Sequence, residues 1–257
     1  MAERRRRIVA ELQHRGSAHI DELASALHVS TMTVRRDIDA LAGEGLVAKT
    51  RGGVLLQEGS PRTAWSGEPA ENLDEKAAAA KEAARLVQPG TVIGLAAGTT
   101  IGMLATHLLD IDGLTVVTNS VRIADHMVTP GRGDLPEPSV VLTGGLRTPS
   151  GALVGPVAVH ALEQLHCDVA FLSGNGLAPE TGLTTPNLLE AETNRALVAA
   201  SRRTVVLIDH TKWRQVSLAT IIDLEAVDVV VVDGGMDPAA VADLRSYVPE
   251  VRVAPMG

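Results

Sequence analysis

The sequence predicts an α/β protein in two parts. A winged helix-turn-helix is expected over residues 1–57, and a doubly wound, mostly parallel sheet domain over residues 73–257, with a linker at 58–72 between them. Two observations carry this. Apolar residues recur at helical spacing through the first forty or so positions and are followed by a hairpin pattern around a Gly-Gly pair. From Leu73 onward, short unbroken runs of Val, Ile and Leu alternate with helical segments, the pattern of strands covered on both faces. Composition agrees: 45% of the 257 residues are hydrophobic, enough for a sizeable core, and only 2% are aromatic, so that core is built from Val, Leu, Ile and Ala.

In order along the chain, Glu3–Arg15 reads as a helix with Ile8, Val9 and Leu12 on one face, closed by Gly16. Ile20–Leu27 is a second short helix, with Leu23, Ala24 and Leu27 apolar. Ser30 can cap a third helix running to Ala42, in which Val34, Ile38 and Leu41 repeat at i, i+4 and i+7. Gly43 and Gly45 end it. Leu46–Thr50 and Val54–Gln57 form a hairpin around Arg51-Gly52-Gly53. The next segment is rich in Gly, Pro, Ser and Glu, lacks periodicity, and holds a lone Trp65 suited to packing rather than chemistry. Strands follow at Thr91–Leu95, Thr115–Thr118, Ser139–Leu142, Asp168–Leu172, Thr204–Ile208 and Asp228–Val232. Helices are expected at Leu73–Val87, Thr100–Leu109, Val121–Val128, Gly155–Leu165 and Leu188–Ala200.

The net charge of −8 is unevenly placed. Residues 1–57 carry nine Lys/Arg against seven Asp/Glu, while the other 200 carry fourteen against twenty-four. The basic balance therefore sits at the N-terminal end, as a nucleic-acid-binding end would have it. The single cysteine, Cys167, excludes an intrachain disulfide or a cysteine-rich metal site and reads as a small buried apolar residue. No run is long enough to span a membrane and no signal-peptide core follows the basic N-terminus, so a cytoplasmic protein without membrane association is expected. His107, His126, His160, His166 and His210 lack metal-ligand spacing, and neither a metal nor a cofactor is expected.

The third helix carries the first chemistry. With its apolar stripe turned inward, Ser30, Thr31, Thr33, Arg35 and Arg36 lie near its N-terminal half, the end a recognition helix presents to the major groove. Threonine hydroxyls reach base edges or phosphates, and arginine bonds bidentately to guanine or pairs with phosphate. Lys49 and Arg51 sit on the wing, where Gly52 and Gly53 would let the backbone approach phosphates closely. The Arg4–Arg7 run spreads around a helix and forms no single stripe; one or two contacts to the DNA backbone and a solvated face are both open.

The second chemistry is a small anion pocket. The first strand runs through Ala96-Ala97 into Gly98-Thr99-Thr100 and a helix, where unpaired backbone N–H groups and the helix dipole converge. Other strand ends supply Thr118-Asn119-Ser120, Gly144-Gly145, Asn175 and Lys212. Ligands of open α/β sheets bind outside this edge. Lys212 could neutralise a phosphate or carboxylate and Asn175 could bond to hydroxyls.

Val29-Ser30-Thr31-Met32-Thr33-Val34-Arg35-Arg36-Asp37 with Thr50-Arg51-Gly52-Gly53 resembles the signature of the DeoR family of bacterial sugar-metabolism regulators. Glu75-Lys76, Ala97-Gly98-Thr99-Thr100, Val117-Thr118-Asn119-Ser120, Gly144-Gly145, Leu153-Val154-Gly155-Pro156, Gly182-Leu183-Thr184-Thr185-Pro186 and Asp209-His210-Thr211-Lys212 extend the resemblance over nearly the whole chain. The resemblance implies a sheet domain related to ribose-5-phosphate isomerase and a phosphorylated sugar as effector. It implies that the Gly-Thr-Thr loop holds the phosphate, with Asn119, Asn175 and Lys212 on the sugar or phosphate. It also implies a regulator, a repressor, of carbohydrate genes. Three positions depart from the family: Ala96 where an acidic residue is frequent, Ile101 where a third threonine is common, and Asn175 where many members carry aspartate. These departures remove hydroxyl acceptors and candidate bases.

Since one helix-turn-helix reads one half-site, a homodimer or homotetramer on a double-stranded operator is expected. The rival reading is a sugar-phosphate isomerase-like enzyme with an N-terminal DNA-binding extension. It needs a positioned carboxylate, for which Asp209 and Glu190 are candidates. An architectural DNA-binding protein is a third reading, disfavoured because compaction of DNA needs no large α/β domain.

Overall fold

A computed structural model describes residues 2–15, 17–43, 47–50, 52–56, 72–128 and 138–256. Gly16, Gly45, Leu46, Arg51, Gln57 and the expected linker as far as Glu71, with Trp65, lie outside these residues. The chain forms two units, Met1–Glu71 and Asn72–Gly257.

In the first unit, α1 (Ala2–Arg15), β1 (Ser17–His19), α2 (Ile20–Leu27) and α3 (Thr31–Gly43) precede the hairpin β2 (Val47–Thr50) and β3 (Gly53–Leu56). Ile8, Val9 and Leu12 of α1, Leu23 and Ala24 of α2, and Val34, Ile38 and Leu41 of α3 meet Val47 and Val54 of the hairpin in one core. The three apolar stripes thus face one another, and each helix is held by burial rather than by its own propensity. His28 turns the chain between α2 and α3 in the left-handed region (φ 53°), its N–H donating back to the end of α2. Strand β1 was not anticipated, because three residues are too few to display a period of two. It pairs antiparallel with β3, giving the order β1-β3-β2.

The second unit contains α4 (Leu73–Ala84), β4 (Val92–Leu95), α5 (Thr99–His107), β5 (Thr115–Thr118), α6 (Val121–Met127), β6 (Ser139–Leu142), β7 (Leu146–Arg147) and β8 (Leu153–Val154). These are followed by α7 (Pro156–Glu163), β9 (Val169–Leu172), β10 (Gly176–Ala178), β11 (Gly182–Thr185) and α8 (Leu188–Ala199). The chain ends with β12 (Thr204–Ile208), β13 (Ala219–Ile222), β14 (Val229–Asp233), α9 (Pro238–Leu244) and β15 (Glu250–Ala254). Seven strands form one sheet in the order β15-β14-β12-β9-β4-β5-β6, and every neighbouring pair is parallel. Six of these strands follow the continuous apolar runs. The seventh, β15, alternates Glu250 and Arg252 with Val251 and Val253, as a strand does when only part of it is covered.

Alternate residues of the central strands serve opposite faces. Ala170, Leu172, Val206, Ile208, Val230 and Val232 pack on Leu162 of α7, Ala191 and Leu197 of α8, and Val241 and Leu244 of α9. Phe171, Val205, Leu207, Val229 and Val231 are equally buried and turn the other way, the side on which α4 packs against α5 and against β12, β14 and β15. Helix α8 comes so close to β4 that a Cβ at Gly94 would lie 2.7 Å from Leu197 Cδ1. Cys167 is buried in this layer, and burial pushes its thiol pKa up.

Candidate nucleic-acid interface and effector site

Helix α3 is built to expose one face. Ser30 Oγ accepts from the Thr33 N–H at 3.2 Å and lies 2.9 Å from Thr33 Oγ1, so these two hydroxyls cap the helix and satisfy each other. Thr31, Arg35 and Arg36 are exposed, while Val34, Asp37, Ile38 and Leu41 are buried. Asp37 is the charged member of the inward face, and Arg4 and Arg5 reach it from α1 with Nε at 2.5 and 3.2 Å. Two members of the N-terminal arginine run therefore clamp α1 to α3. On the wing, Lys49 Nζ lies 2.5 Å from Asp39 of α3, with both side chains more than half exposed. Gly52 adopts φ +89° and has open space around it, whereas a Cβ at Gly53 would sit 2.8 Å from the Ala18 carbonyl oxygen. Close packing against β1 is thus what requires Gly53. Arg51 lies outside the described residues.

In the second unit the sheet order reverses at β4. The chain steps outward through β5 and β6, then returns to the other side of β4 with β9 and steps outward through β12, β14 and β15. A crevice outside the carboxyl ends of two such strands is where open α/β sheets take ligands. Here it is bordered by Ala96–Thr100 and by the loop after β9. Gly98 precedes α5 with φ +140°, and no side chain caps the helix, so its first-turn N–H groups are left for another acceptor. Of the three departures from the family, Ala96 and Ile101 are fully buried, and Asn175 alone is exposed.

The expected site residues divide by what their side chains do. Thr118 Oγ1 donates to the Leu95 carbonyl at 2.7 Å and accepts from the Ser120 N–H, and Ser120 caps α6. Asn119 is buried; its Oδ1 accepts from the Ala97 N–H at 2.8 Å and its Nδ2 donates to the Leu153 carbonyl at 3.2 Å. Thr118 and Asn119 thus brace the strand end and Ala97, which lead into the Gly-Thr-Thr loop, while Ser120 starts α6. Gly144 and Gly145 both take positive φ, and a Cβ at Gly145 would lie 2.6 Å from the Val154 carbonyl oxygen, so this pair seats the β7–β8 hairpin. Gly98, Thr99, Thr100, Asn175 and Lys212 remain as the groups of the strand-end loops.

A second, small sheet joins the last two of these loops. Strands β10, β11 and β13 pair antiparallel. The Asn175 N–H donates to the Thr184 carbonyl at 2.8 Å, and the Arg214 N–H donates to the Leu177 carbonyl at 2.7 Å. The segment after Lys212 thereby lies along β10. A Cβ at Gly176 would stand 2.1 Å from the Gln215 carbonyl oxygen, so only glycine admits the crossing.

Three sets of polar contacts escape the sequence, although two of the carboxylates in them, Asp209 and Glu190, are candidates there. Asp209, almost fully buried, accepts from the Thr211 N–H and Oγ1 and from Asn72 Nδ2 at 3.1 Å; Asn72 Nδ2 also lies 3.1 Å from Thr211 Oγ1. An asparagine before a helix signals a cap, but Asn72 sits at φ 59° and its side chain does not cap α4. Asp233, fully buried, accepts from the His210 N–H and lies 2.9 Å from His210 Nδ1. Glu190, at the start of α8, accepts from Ser150 Oγ at 2.6 Å and Thr185 Oγ1 at 3.4 Å. Nothing in the local sequence pairs residues so far apart.

The DeoR-like helix-turn-helix domain matches residues 4–59, and the DeoR C terminal sensor domain matches residues 71–234. The chain belongs to the DeoR family. Among its DeoR-family relatives, the HTH-type transcriptional regulator GolR of Listeria innocua serovar 6a is 36% identical over 239 residues, 92% of each chain. The glycerol-3-phosphate regulon repressor of Escherichia coli is 27% identical over 227 residues, 88% of each chain. Ribose 5-phosphate isomerase A from Methanocaldococcus jannaschii is a looser likeness, with 20% identity over 56% of this chain and 55% of that one and a TM-score of 0.40. Like these regulators, the present DeoR-family chain is a helix-turn-helix transcriptional regulator. Among the described residues no helix is long and apolar enough to cross a membrane.

Proposed function

We propose that this regulator is a repressor of carbohydrate genes whose hold on operator DNA is set by a phosphorylated sugar bound at the carboxyl edge of the parallel sheet. The observation that carries the effector half is the uncapped first turn of α5 at the reversal of strand order. Thr99, Thr100 and the first-turn N–H groups suit a phosphate, Lys212 supplies the cation, and Asn175 suits a hydroxyl. Thr118, Asn119 and Ser120 act as positioning residues. The name of the relative that represses a glycerol-3-phosphate regulon supports a phosphorylated ligand. On the DNA side, Thr31, Arg35 and Arg36 meet the groove. Lys49 exchanges Asp39 for a phosphate, a small cost because exposed ion pairs contribute at most about 1 kcal/mol. A homodimer or homotetramer supplies the second half-site.

Asn72 supports a route between the halves. It directly follows the segment that joins the two units, and its carboxamide bonds to Asp209 and Thr211 in the loop that carries Lys212. The enzymic reading loses support on the same geometry, since the carboxylates it needs, Asp209 and Glu190, already accept protein hydrogen bonds.

The test uses the full chain, DNA enriched by in vitro selection on it, and a panel of sugar phosphates. One compound is expected to change DNA affinity and, at about 100 times its Kd, to stabilise the sensor unit by about 2.7 kcal/mol, a rise in Tm of roughly 5–10 °C. Lys212→Ala is expected to abolish both responses and leave DNA binding intact. Turnover of the same compound by purified protein would overturn the proposal.

A further inference from the structure

Met32 is 65% exposed, and it stands on the recognition helix. Successive helical residues turn by about 100°, which places the exposed Thr31, Met32, Arg35, Arg36 and Asp39 within one arc of about 140°. Val34, Asp37, Ile38 and Leu41 fill the other side. Met32 lies inside that arc, with Arg35 and Arg36 as its i+3 and i+4 neighbours. The hydroxyls of Ser30 and Thr33 are engaged with each other in the cap. The outward N-terminal end of α3 therefore offers one hydroxyl, two guanidinium groups and one long apolar chain.

Among the groups that distinguish the bases in the major groove, the C5-methyl of thymine is the apolar one; the others are hydrogen-bond donors and acceptors. A thioether side chain has no donor and only a weak acceptor, and it adapts its shape to an apolar partner. We infer that Met32 is a specificity-determining residue that packs on a thymine methyl, next to the base pair or phosphate taken by Arg35 or Arg36. The inference rests on the DNA-binding reading above and adds to it a residue and the base it selects. An apolar chain on the methyl disfavours cytosine through the methyl group that cytosine lacks.

The experiment is a cycle between protein and base. The full chain is used to select an operator, and each thymine of that operator is replaced in turn by deoxyuridine, which lacks only the methyl. Wild-type protein is expected to lose affinity about fourfold at one thymine per half-site, the value of one buried methyl group. Met32→Ala is expected to bind more weakly and to become indifferent to that replacement, while Met32→Leu keeps the discrimination. Equal affinity of the wild type for every deoxyuridine operator, or an undiminished penalty in Met32→Ala, overturns the inference while leaving the DNA reading in place. Failure of the wild type to enrich any sequence overturns both. Because Met32 is exposed, folding of its variants is not at stake, and unchanged melting temperatures verify this.

Discussion

Asp37 interrupts an otherwise apolar inward face two residues beyond Arg35, and what lets it do so is the pair of guanidinium groups from α1. Burial pushes its carboxyl up, but the hydrogen bonds and charges of Arg4 and Arg5 outweigh burial and hold the pKa below its ordinary value. A carboxyl whose pKa is depressed on folding stabilises the fold above its unfolded pKa, about 3.9. That contribution is lost as the pH falls through the lower, folded value. Asp37→Asn keeps the shape and removes the charge. It is expected to destabilise the N-terminal unit by about 1–3 kcal/mol at neutral pH, less than a fully enclosed pair because the arginines are partly exposed. It should also flatten the acid limb of stability; thermal melts of both proteins from neutral pH to below about pH 4 decide the matter, and parallel curves count against the clamp. The recognition helix is thus oriented by a bond to α1, which no reading of α3 alone reveals.

Elements with a strong, uninterrupted period were legible in the sequence, and those defined by a neighbour were not. The strands β4, β5, β9, β12 and β14 are buried along nearly their whole length, so apart from polar residues at their ends (Thr115, Thr118, Thr204 and Asp233) they are runs of apolar residues and glycine. The small sheet of β10, β11 and β13 has no such run. Its Gly176-Leu177-Ala178 and Gly182-Leu183-Thr184-Thr185 are set by how closely other backbone passes them. Of the proposed effector residues, the Gly98-Thr99-Thr100 loop was legible because strand, glycine and helix start adjoin in sequence. The bracing role of Asn119 was not, because its partners at Ala97 and Leu153 are brought to it only by folding. The small sheet also fixes a prediction. Gly176→Ala forces the Gln215 carbonyl aside and with it the turn that ends at Lys212. Affinity for the sugar phosphate found in the panel is expected to fall at least tenfold while operator binding by the unliganded protein is unchanged, as titration of each ligand would measure. Equal loss of both would mean that the substitution unfolds the chain.

Across the whole molecule, charge and connection are both divided. Residues 1–57 carry the basic balance and the other 200 the acidic one, so long-range attraction to DNA is confined to the helix-turn-helix end of the chain. The proposed route between effector and DNA runs through Asn72, the first residue of the second unit. Asn72→Ala is expected to leave the separate affinities for DNA and for sugar phosphate within about twofold, and to bring the factor by which each alters the other close to one. Reciprocity requires both cross-effects to vanish together, so survival of either under fluorescence titration removes Asn72 from the route. The same carboxamide would also set a ceiling on a response carried through it alone. Two hydrogen bonds of about 0.5–1.5 kcal/mol each transmit no more than about 3 kcal/mol, which would limit the change in DNA affinity to roughly 150-fold. A promoter governed in that way would be turned down rather than switched off, and complete silence would require several chains to act on the same DNA.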